Sequence, residues 1–472
     1  MFTLTPILGR LARSCRRGSW KPLTVAVLAV ALAACAALPL PDLPDQVPAR
    51  WRQGDAPTAV ELRSWWKAFG DPTLDALVER ALAHNLSVAE AVARVEASRR
   101  LAAASGLTHL PQVGFHTYSE PTPDSSASYF QFGFDAKWEL GWFGRSESEA
   151  RIARGSHEAA LAQAQAARVS VVAEVVKTYL ELRAAQQREV VLAPLAQSAQ
   201  RRSELMATRV RLRLAAAGEL ARAQAQQAAA QAAVLEQRSA LVRAGRQLTA
   251  LLGEVEPEAW LAATQDLPQL GEAGISSAPA DLVRTRPEIR RAEAEVIRMA
   301  GELGLARADR FPRLGLGGAL TYASKVIGHT RLSDAAGIVT FGPAIEIPLF
   351  DWGQRENITE ARHAELAASL LAYRRAVVEG VAEAETALAT LEQQRQRELA
   401  LRQAVAPLER EAKAAATRER LGLGDAFGRL DAESAFAQAR LDLLAAQQDR
   451  GIAFVALYKA LGGAPLPHGD AP

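Results

Sequence analysis

The chain has 472 residues, a length that allows two to four ordinary domains. Its 55 Lys and Arg residues nearly balance its 53 Asp and Glu residues, so the charge indicates no basic surface for nucleic acid. Its 7 histidines show no metal-ligand spacing, and no Ser-His-Asp or phosphate-loop pattern stands out. These observations argue against an enzyme, and they predict neither a metal site nor a bound cofactor.

The N-terminus has the pattern of an export signal. A basic start that contains no acidic residue precedes an apolar run, 22–34, which is too short to span a membrane. The positive residues are Arg10, Arg13, Arg16, Arg17 and Lys21. We therefore predict a signal peptide over residues 1–34.

The apolar run ends in LAAC at 32–35, which resembles a bacterial lipobox and implies a covalent lipid on Cys35. The alternative is a short buried cysteine beside alanines. Cys15 lies inside the predicted signal, so the mature chain would have one cysteine and no disulfide. Ala36 follows the cysteine where an aspartate could stand, which by the same resemblance favours sorting to the outer membrane. The prediction is an envelope lipoprotein.

A Pro-rich segment with three tryptophans, 35–70, comes next and is expected to form an extended arm along a surface. From Asp71 the apolar residues recur at helical spacing, which predicts one helix to about Gly106.

The period then changes to that of a β-strand. Apolar and polar residues alternate without exception from Phe130 to Leu140, and a weaker segment begins at Val113 and Phe115. Together they predict a β-hairpin over 112–140.

Two further alternating runs predict a second hairpin over 313–349, in which Pro343 is tolerable mainly at a bulge or turn. Each run has about ten residues, the length that a tilted strand needs to cross a bilayer. A half-buried strand of a soluble sandwich shows the same pattern. Four such segments in two hairpins nevertheless favour a membrane barrel.

Each hairpin is followed by a long segment with almost no helix-breaking residues, 145–217 and 354–421. Sixty helical residues extend about 90 Å. Both helices are predicted to turn back, at 211–224 and at 420–433.

The two halves of the chain repeat each other. Pro111 and Pro312 lie 201 residues apart, and Glu139 and Glu346 lie 207 apart. At the turns, Ala215 is set against Gly422 at the same offset of 207. The predicted organisation is a signal peptide 1–34, an arm 35–70, a first repeat 71–265, a linker 266–281, a second repeat 282–463 and a tail 464–472.

Four strands from one chain cannot close a barrel, because the smallest barrels need about eight. An open sheet would leave backbone groups unpaired in lipid. Three copies would supply twelve strands and room for an aqueous lumen. We therefore predict a mainly α-helical protein with a membrane β-barrel: a homotrimer whose twelve-stranded outer-membrane barrel continues as a periplasmic α-helical tunnel.

Several segments carry a family resemblance: LAAC at 32–35, LVRTRPEIRRAEAEV at 282–296, LGLARADRFPRLGL at 303–316, IPLFDWGQR at 347–355, RLGLGDAFGRLDAE at 420–433 and ALYKALGG at 456–463. With them the chain resembles the TolC-like outer-membrane efflux proteins, in particular the lipidated branch called NodT-like or OprM-like. The resemblance covers roughly residues 60–463 and implies the exit duct of a tripartite pump. The implied partners are a periplasmic membrane-fusion adaptor, an inner-membrane transporter of the RND type, and outer-membrane lipid.

The same resemblance implies a constriction near the second turn. Matching Gly422 to the family's glycine places Asp431 at a gate acid and Phe427 at the apolar position before it, and Asp425 could add a charge. A tyrosine is usual three residues before the glycine, but Glu419 stands there. The alternative for Asp431 is an ordinary solvated acid that pairs with Arg429 or Arg420.

Adaptor docking is expected on the same turns, with the candidates Ala215, Gly218, Glu219, Gly422 and Gly424. A solvated turn without a partner is the simpler alternative. Two other functions remain open: a periplasmic lipoprotein adaptor, and a structural coiled-coil component of an envelope complex.

Overall fold

The computed structural model describes residues 39–43, 62–120, 129–258, 261, 263–271, 285–327 and 331–463. The predicted signal peptide with Cys35 lies outside the described residues. So do the predicted tail 464–472 and most of the predicted linker 266–281.

The described residues contain seven α-helices and four β-strands. The helices are α1 (Pro72–His84), α2 (Leu86–Leu107), α3 (Arg145–Arg211), α4 (Ala217–Leu251), α5 (Pro287–Ala308), α6 (Gln354–Arg420) and α7 (Ala426–Ala460). The strands are β1 (Gln112–Glu120), β2 (Tyr129–Glu139), β3 (Arg313–Ile327) and β4 (Arg331–Glu346).

The duplication reappears in the lengths of the helices. The helices α2 and α5 both have 22 residues, α3 and α6 both have 67, and α4 and α7 both have 35. Each repeat therefore consists of a helix, a β-hairpin, a very long helix and a shorter returning helix.

The chain divides into two compact units. Of the described residues, those within 1–42, 100–156 and 295–370 form the sheet unit, and those within 43–99, 157–294 and 371–472 form the helical unit. The sheet unit holds all four strands in the order β1-β2-β3-β4, each antiparallel to its neighbour.

Glycine permits close packing in the sheet where β2 meets β3. A Cβ atom at Gly133 would lie 2.3 Å from the carbonyl oxygen of Leu320, so any larger residue would push the two strands apart. Pro343, which is awkward for a central strand, lies in β4 at an edge of the described sheet.

An ion pair joins the segments that flank β2 and β3. Arg145, which begins α3, pairs with Asp309, and Arg313 also donates to Asp309, at 2.8 Å. Burial alone would raise the pKa of Asp309, but the hydrogen bonds from Arg145 and Arg313 outweigh burial and lower it. The carboxylate therefore stays charged between its two guanidinium groups.

Aromatic residues form part of the core of the helical unit. Trp65 stacks on Tyr458 with ring centroids 5.4 Å apart, and Phe454 lies against both rings. The Tyr179 hydroxyl donates to Asp71 at 2.6 Å. Burial and this hydrogen bond together raise the pKa of Tyr179 to about 12, so its hydroxyl stays protonated.

A buried arginine ties three helices of the helical unit together. Arg286, just before α5, donates to the carbonyl oxygens of Gly380 in α6 and Ala460 in α7, at 3.2 and 2.6 Å. It also pairs with Glu383 at 2.5 Å. A buried guanidinium needs such partners because an unpaired buried charge is strongly destabilising.

Two sequence expectations are wrong. The predicted single helix over 71–106 breaks at Asn85, whose side-chain oxygen accepts from the backbone N–H groups of Ser87 and Val88 and so starts a new helix. The predicted extended arm ends in a short 3₁₀-helix, Leu62–Phe69, that buries Trp65 and Trp66 instead of lying on a surface.

Within the described residues, only α3 has an 18-residue stretch apolar enough to cross a membrane. Half of that stretch is buried inside the structure, as expected of a helix that packs against others.

Candidate functional site: the helical turns

The predicted gate and docking residues lie in two turns and in the first residues of the helices that follow them, all in the helical unit. Turn 1 joins α3 to α4 (212–216), and turn 2 joins α6 to α7 (421–425). In turn 1, Leu214 N–H donates to the Arg209 carbonyl at 2.8 Å, and in turn 2 Leu423 N–H donates to the Arg418 carbonyl at 2.8 Å. These are Schellman bonds, which satisfy carbonyl groups at the end of a helix.

Each turn requires one residue with positive φ. That residue is Arg213 in turn 1 (φ 61°) and Gly422 in turn 2 (φ 70°), 209 residues apart. The match of Ala215 with Gly422 is therefore wrong. Arg213 occupies the glycine position, and Ala215 corresponds to Gly424.

The correct offset also pairs the residues that follow the turns. Gly218 corresponds to Phe427, Glu219 to Gly428, and Arg222 to Asp431. The start of α7, just after turn 2, therefore has a phenylalanine and an acid where the start of α4, just after turn 1, has a glycine and a base.

The two turns start their second helices differently. In turn 2, Asp425 is the N-cap, and its carboxylate accepts from the Gly428 N–H at 2.8 Å. In turn 1 the N-cap is Ala216, which makes no side-chain bond. The exposed Asp425 thus has a structural role as the N-cap of α7. This role is separate from any charge that it adds to the predicted constriction.

Phe427 and Asp431 meet the same arginine. Arg202 of α3 forms an ion pair with Asp431, and its guanidinium carbon lies 5.9 Å from the centroid of the Phe427 ring. Arg209, about two turns further along α3, lies 5.2 Å from the same centroid. The structure thus gives Asp431 a partner that neither alternative in the sequence named.

Arg429 and Arg420 were the partners expected for an ordinary surface acid, and neither has that role. Arg429 instead bonds Glu419 and Glu433, each at 2.5 Å. The hydrogen bond to Glu433, followed by that to Glu419, outweighs burial and raises the pKa of Arg429. Glu419, which stands at the usual tyrosine position, therefore still links α6 to α7.

Four leucines make both turns apolar. They are 61% to 75% exposed: Leu212, Leu214, Leu421 and Leu423. The candidates Gly218, Glu219, Gly422 and Gly424 are exposed beside them, and Ala215 is half-buried. The leucines follow one pattern, RLRL at 211–214 and RLGL at 420–423, which was a visible signal for a paired surface. No sequence signal pointed to Arg202.

In the part of the chain that the structure describes, no three His, Cys, Asp or Glu side chains are grouped so that they could hold a metal ion.

The chain matches the outer membrane efflux protein family over residues 77–254 and 278–463. The chain belongs to this family. It is 28% identical to outer membrane protein OprJ of Pseudomonas aeruginosa, covering 93% of this chain and 94% of OprJ. It is 23% identical to nodulation protein T of Rhizobium leguminosarum bv. trifolii, covering 90% of this chain and 93% of that protein.

Solved structures agree with the family. The open-state outer membrane channel MtrE of Neisseria gonorrhoeae matches with a TM-score of 0.78 and 25% identity, covering 91% of this chain and 98% of MtrE. The outer-membrane channel OprN matches with a TM-score of 0.77 and 28% identity, covering 91% and 99%. The predicted family, fold class, function and outer-membrane location are confirmed: this protein is an outer-membrane channel component of an efflux system.

The difference between the two N-caps generates a prediction. Asp425→Ala should destabilise the start of α7 by about 1 kcal/mol, because the Gly428 N–H loses its acceptor. Ala216→Asp should stabilise the start of α4 by a similar amount. Hydrogen–deuterium exchange of the first turn of each helix measures both effects.

Asp425→Asn is the matched control, since asparagine caps as well as aspartate but carries no charge. Exchange at α7 that is equally fast in the wild type and in Asp425→Ala would contradict the capping role.

Proposed function

We propose that three copies of this chain form the exit duct of a tripartite pump. In this duct the twelve strands span the outer membrane, and turns 1 and 2 contact a periplasmic adaptor. An inner-membrane transporter of the RND type, together with this adaptor, delivers the substrate to the duct. The observation that carries the proposal is a four-stranded sheet joined in one chain to two helical hairpins of identical length. Four strands need further copies to close. The helical hairpins would then form a ring of six similar turns.

Turn 2 is the proposed constriction of the duct. Just after this turn, Phe427 supplies bulk and Asp431 supplies charge, whereas Gly218 and Arg222 stand at the corresponding positions after turn 1. Asp431 is 67% exposed, whereas Arg202 is largely covered. The arginine therefore holds α7 against α3 by one ion pair and by its contact with the Phe427 ring. We treat this group, Arg202–Phe427–Asp431, as the closing contact.

Breaking the closing contact should open the duct. An exposed ion pair contributes about 0.2–1 kcal/mol, and that amount changes an open-to-closed ratio by about fivefold at most for each copy. Asp431→Ala and Phe427→Ala should therefore raise the mean single-channel conductance in planar bilayers, with a larger rise for the double variant.

Asp449→Ala is the matched control, because it also breaks an exposed ion pair of α7, the 2.9 Å pair with Arg397 of α6. Its conductance should equal that of the wild type. A conductance in Asp431→Ala that does not differ from the control would rule out the closing contact.

The adaptor is proposed to dock on the leucines of both turns. Exposed apolar side chains in a cluster typically mark a protein-binding surface, and the small residues Ala215, Gly218 and Gly424 let a partner approach the backbone closely. Glu219 provides a charge at the rim of this surface.

A charged residue placed in this surface should stop efflux without dissociating the trimer. Leu212→Glu combined with Leu421→Glu should abolish the resistance of cells that express the cognate pump to the compound it exports. The reason is that a carboxylate would be buried against the adaptor. Leu235→Glu, at a leucine of α4 that is 61% exposed, is the control and should retain resistance. Loss of resistance in the control as well, or its retention in the double variant, would exclude docking at the turns.

Cys35 is the proposed site of lipid attachment, in line with the signal-like sequence before it. Labelled palmitate should enter the wild-type protein and Cys15→Ser, and it should not enter Cys35→Ser. Equal labelling of Cys35→Ser would refute lipidation at this residue.

A further inference from the structure

The two edge strands of the described sheet each have one side without a neighbouring strand. Strands β1 and β4 each pair with one neighbour only, whereas β2 and β3 pair on both sides. The N–H of Leu140 donates to the carbonyl of Leu314 at 3.0 Å, which fixes the residues of β3 that bond towards β2. Because bonding direction alternates along a strand, Gly315 and Gly317 bond towards β4.

The register between β3 and β4 then gives the direction of every group in β4. Gly315 lies opposite Ala344, so Ala344 bonds inwards to β3. Its neighbours Pro343 and Ile345 direct their backbone groups to the free edge. The N–H that proline lacks therefore costs the β3–β4 ladder nothing.

Inside the chain, the junction of β2 with β3 shows how two repeats meet. Beyond the strands, Phe143 stacks on Phe311 with ring centroids 5.2 Å apart and planes at 12°. Beside this stack, Arg145 pairs with Asp309.

The second repeat has the same features, but among the described residues its ring, Trp352, contacts only Phe350 of the same segment, at 4.8 Å between ring centroids. Trp352 (φ 55°) corresponds to Phe143 (φ 59°), since both precede a glycine with φ 78°. Trp352 is 89% exposed. Leu110 corresponds to Phe311, since both precede the proline before a strand, and it is 52% exposed. Each of these two residues thus presents one half of a contact.

We propose that β4 of one chain pairs with β1 of a second copy in the register that β2 and β3 use, with Trp352 covering Leu110 of the partner subunit. The inference rests on the proposed trimer and specifies which residues meet. Lys137 lies opposite Gly317 at the internal junction. The repeat offsets of 207 for β4 and 201 for β1 convert this pair into Ala344 opposite His116 of the partner subunit.

The junction between copies is the weaker of the two. Gln354 replaces Arg145, and Thr108 replaces Asp309, so the ion pair is absent. Pro343 also leaves the partner subunit's Thr117 without one backbone donor. The ring is therefore expected to separate between chains, where the apolar contact has no ion pair beside it.

Disulfide trapping tests the register. Ala344 and His116 of the partner subunit form a non-hydrogen-bonded pair, whose Cα atoms lie about 4.5 Å apart in antiparallel sheets, within the range for a disulfide. Ala344→Cys with His116→Cys, in a Cys15→Ser background, should yield covalent trimers after oxidation. Lys137→Cys with Gly317→Cys is the matched control, which should crosslink within one chain. A Cβ at Gly317 meets no atom within 4 Å.

Two variants shift the register by two residues and keep the same face of the sheet. Ala344→Cys with Gly114→Cys, and Ala344→Cys with Tyr118→Cys, should give at least tenfold less covalent trimer. Native trimers whose crosslinks form mainly in a shifted variant would overturn the proposed register and leave the trimer intact. Native mass measurement that shows only monomers for the unmodified protein would instead overturn the proposed function.

The contact of Trp352 has its own measurement. Trp352→Cys with the partner subunit's Leu110→Cys, joined by a short bifunctional maleimide, should also give covalent trimers. Phe143→Cys with Phe311→Cys should give only internally joined monomers. Absence of trimers for the first pair, together with formation of the internal link in the second, would refute the contact.

Discussion

Every backbone N–H and C=O group inside a bilayer needs a hydrogen-bond partner, and this requirement determines most of the architecture. One chain contributes four strands in an antiparallel row, of which the outer two have free edges within the described sheet. The sheet therefore forces assembly with further copies. Because the chain contains a repeat, the internal junction between β2 and β3 serves as a model for the proposed junction between copies. The long helices extend this assembly, because each β-hairpin continues directly into α3 or α6.

The two repeats agree in the lengths of their matched helices and differ in single side chains near the turns. Helix lengths agree to the residue between the two halves, and both turns have the same Schellman bonds. The differences lie in single side chains beside these matched backbones. Gly218 stands at the position that corresponds to Phe427, and Arg222 at the position that corresponds to Asp431. Only the segment after turn 2 therefore brings bulk and negative charge against Arg202. Matched backbones with different side chains fit the proposal that only one of the two turns forms the constriction.

Patterns local in sequence predicted the fold well, and contacts distant in sequence escaped prediction. Strict alternation from Phe130 to Leu140 marked β2 because a strand has a period of two residues. The break at Asn85 was missed because apolar residues keep helical spacing on both sides of it. The match of Ala215 with Gly422 is wrong because the offset between the repeats is 207 at Glu139 and Glu346 but 209 at the turns, where Arg213 has the positive φ. The pair of Asp431 with Arg202 spans 229 residues, and no spacing rule reaches that far.

The two kinds of ion pair in this chain have different physical roles. Arg286 is buried and holds two backbone carbonyls and a carboxylate, so removing it would leave the two buried carbonyls without this donor and would destabilise the fold. Arg202 holds an exposed carboxylate, so its pair contributes little and breaks at little cost. The proposed closing contact must be weak enough for the proposed adaptor to break it. The exposed pair at turn 2 meets that condition, and the buried one beside α5 does not.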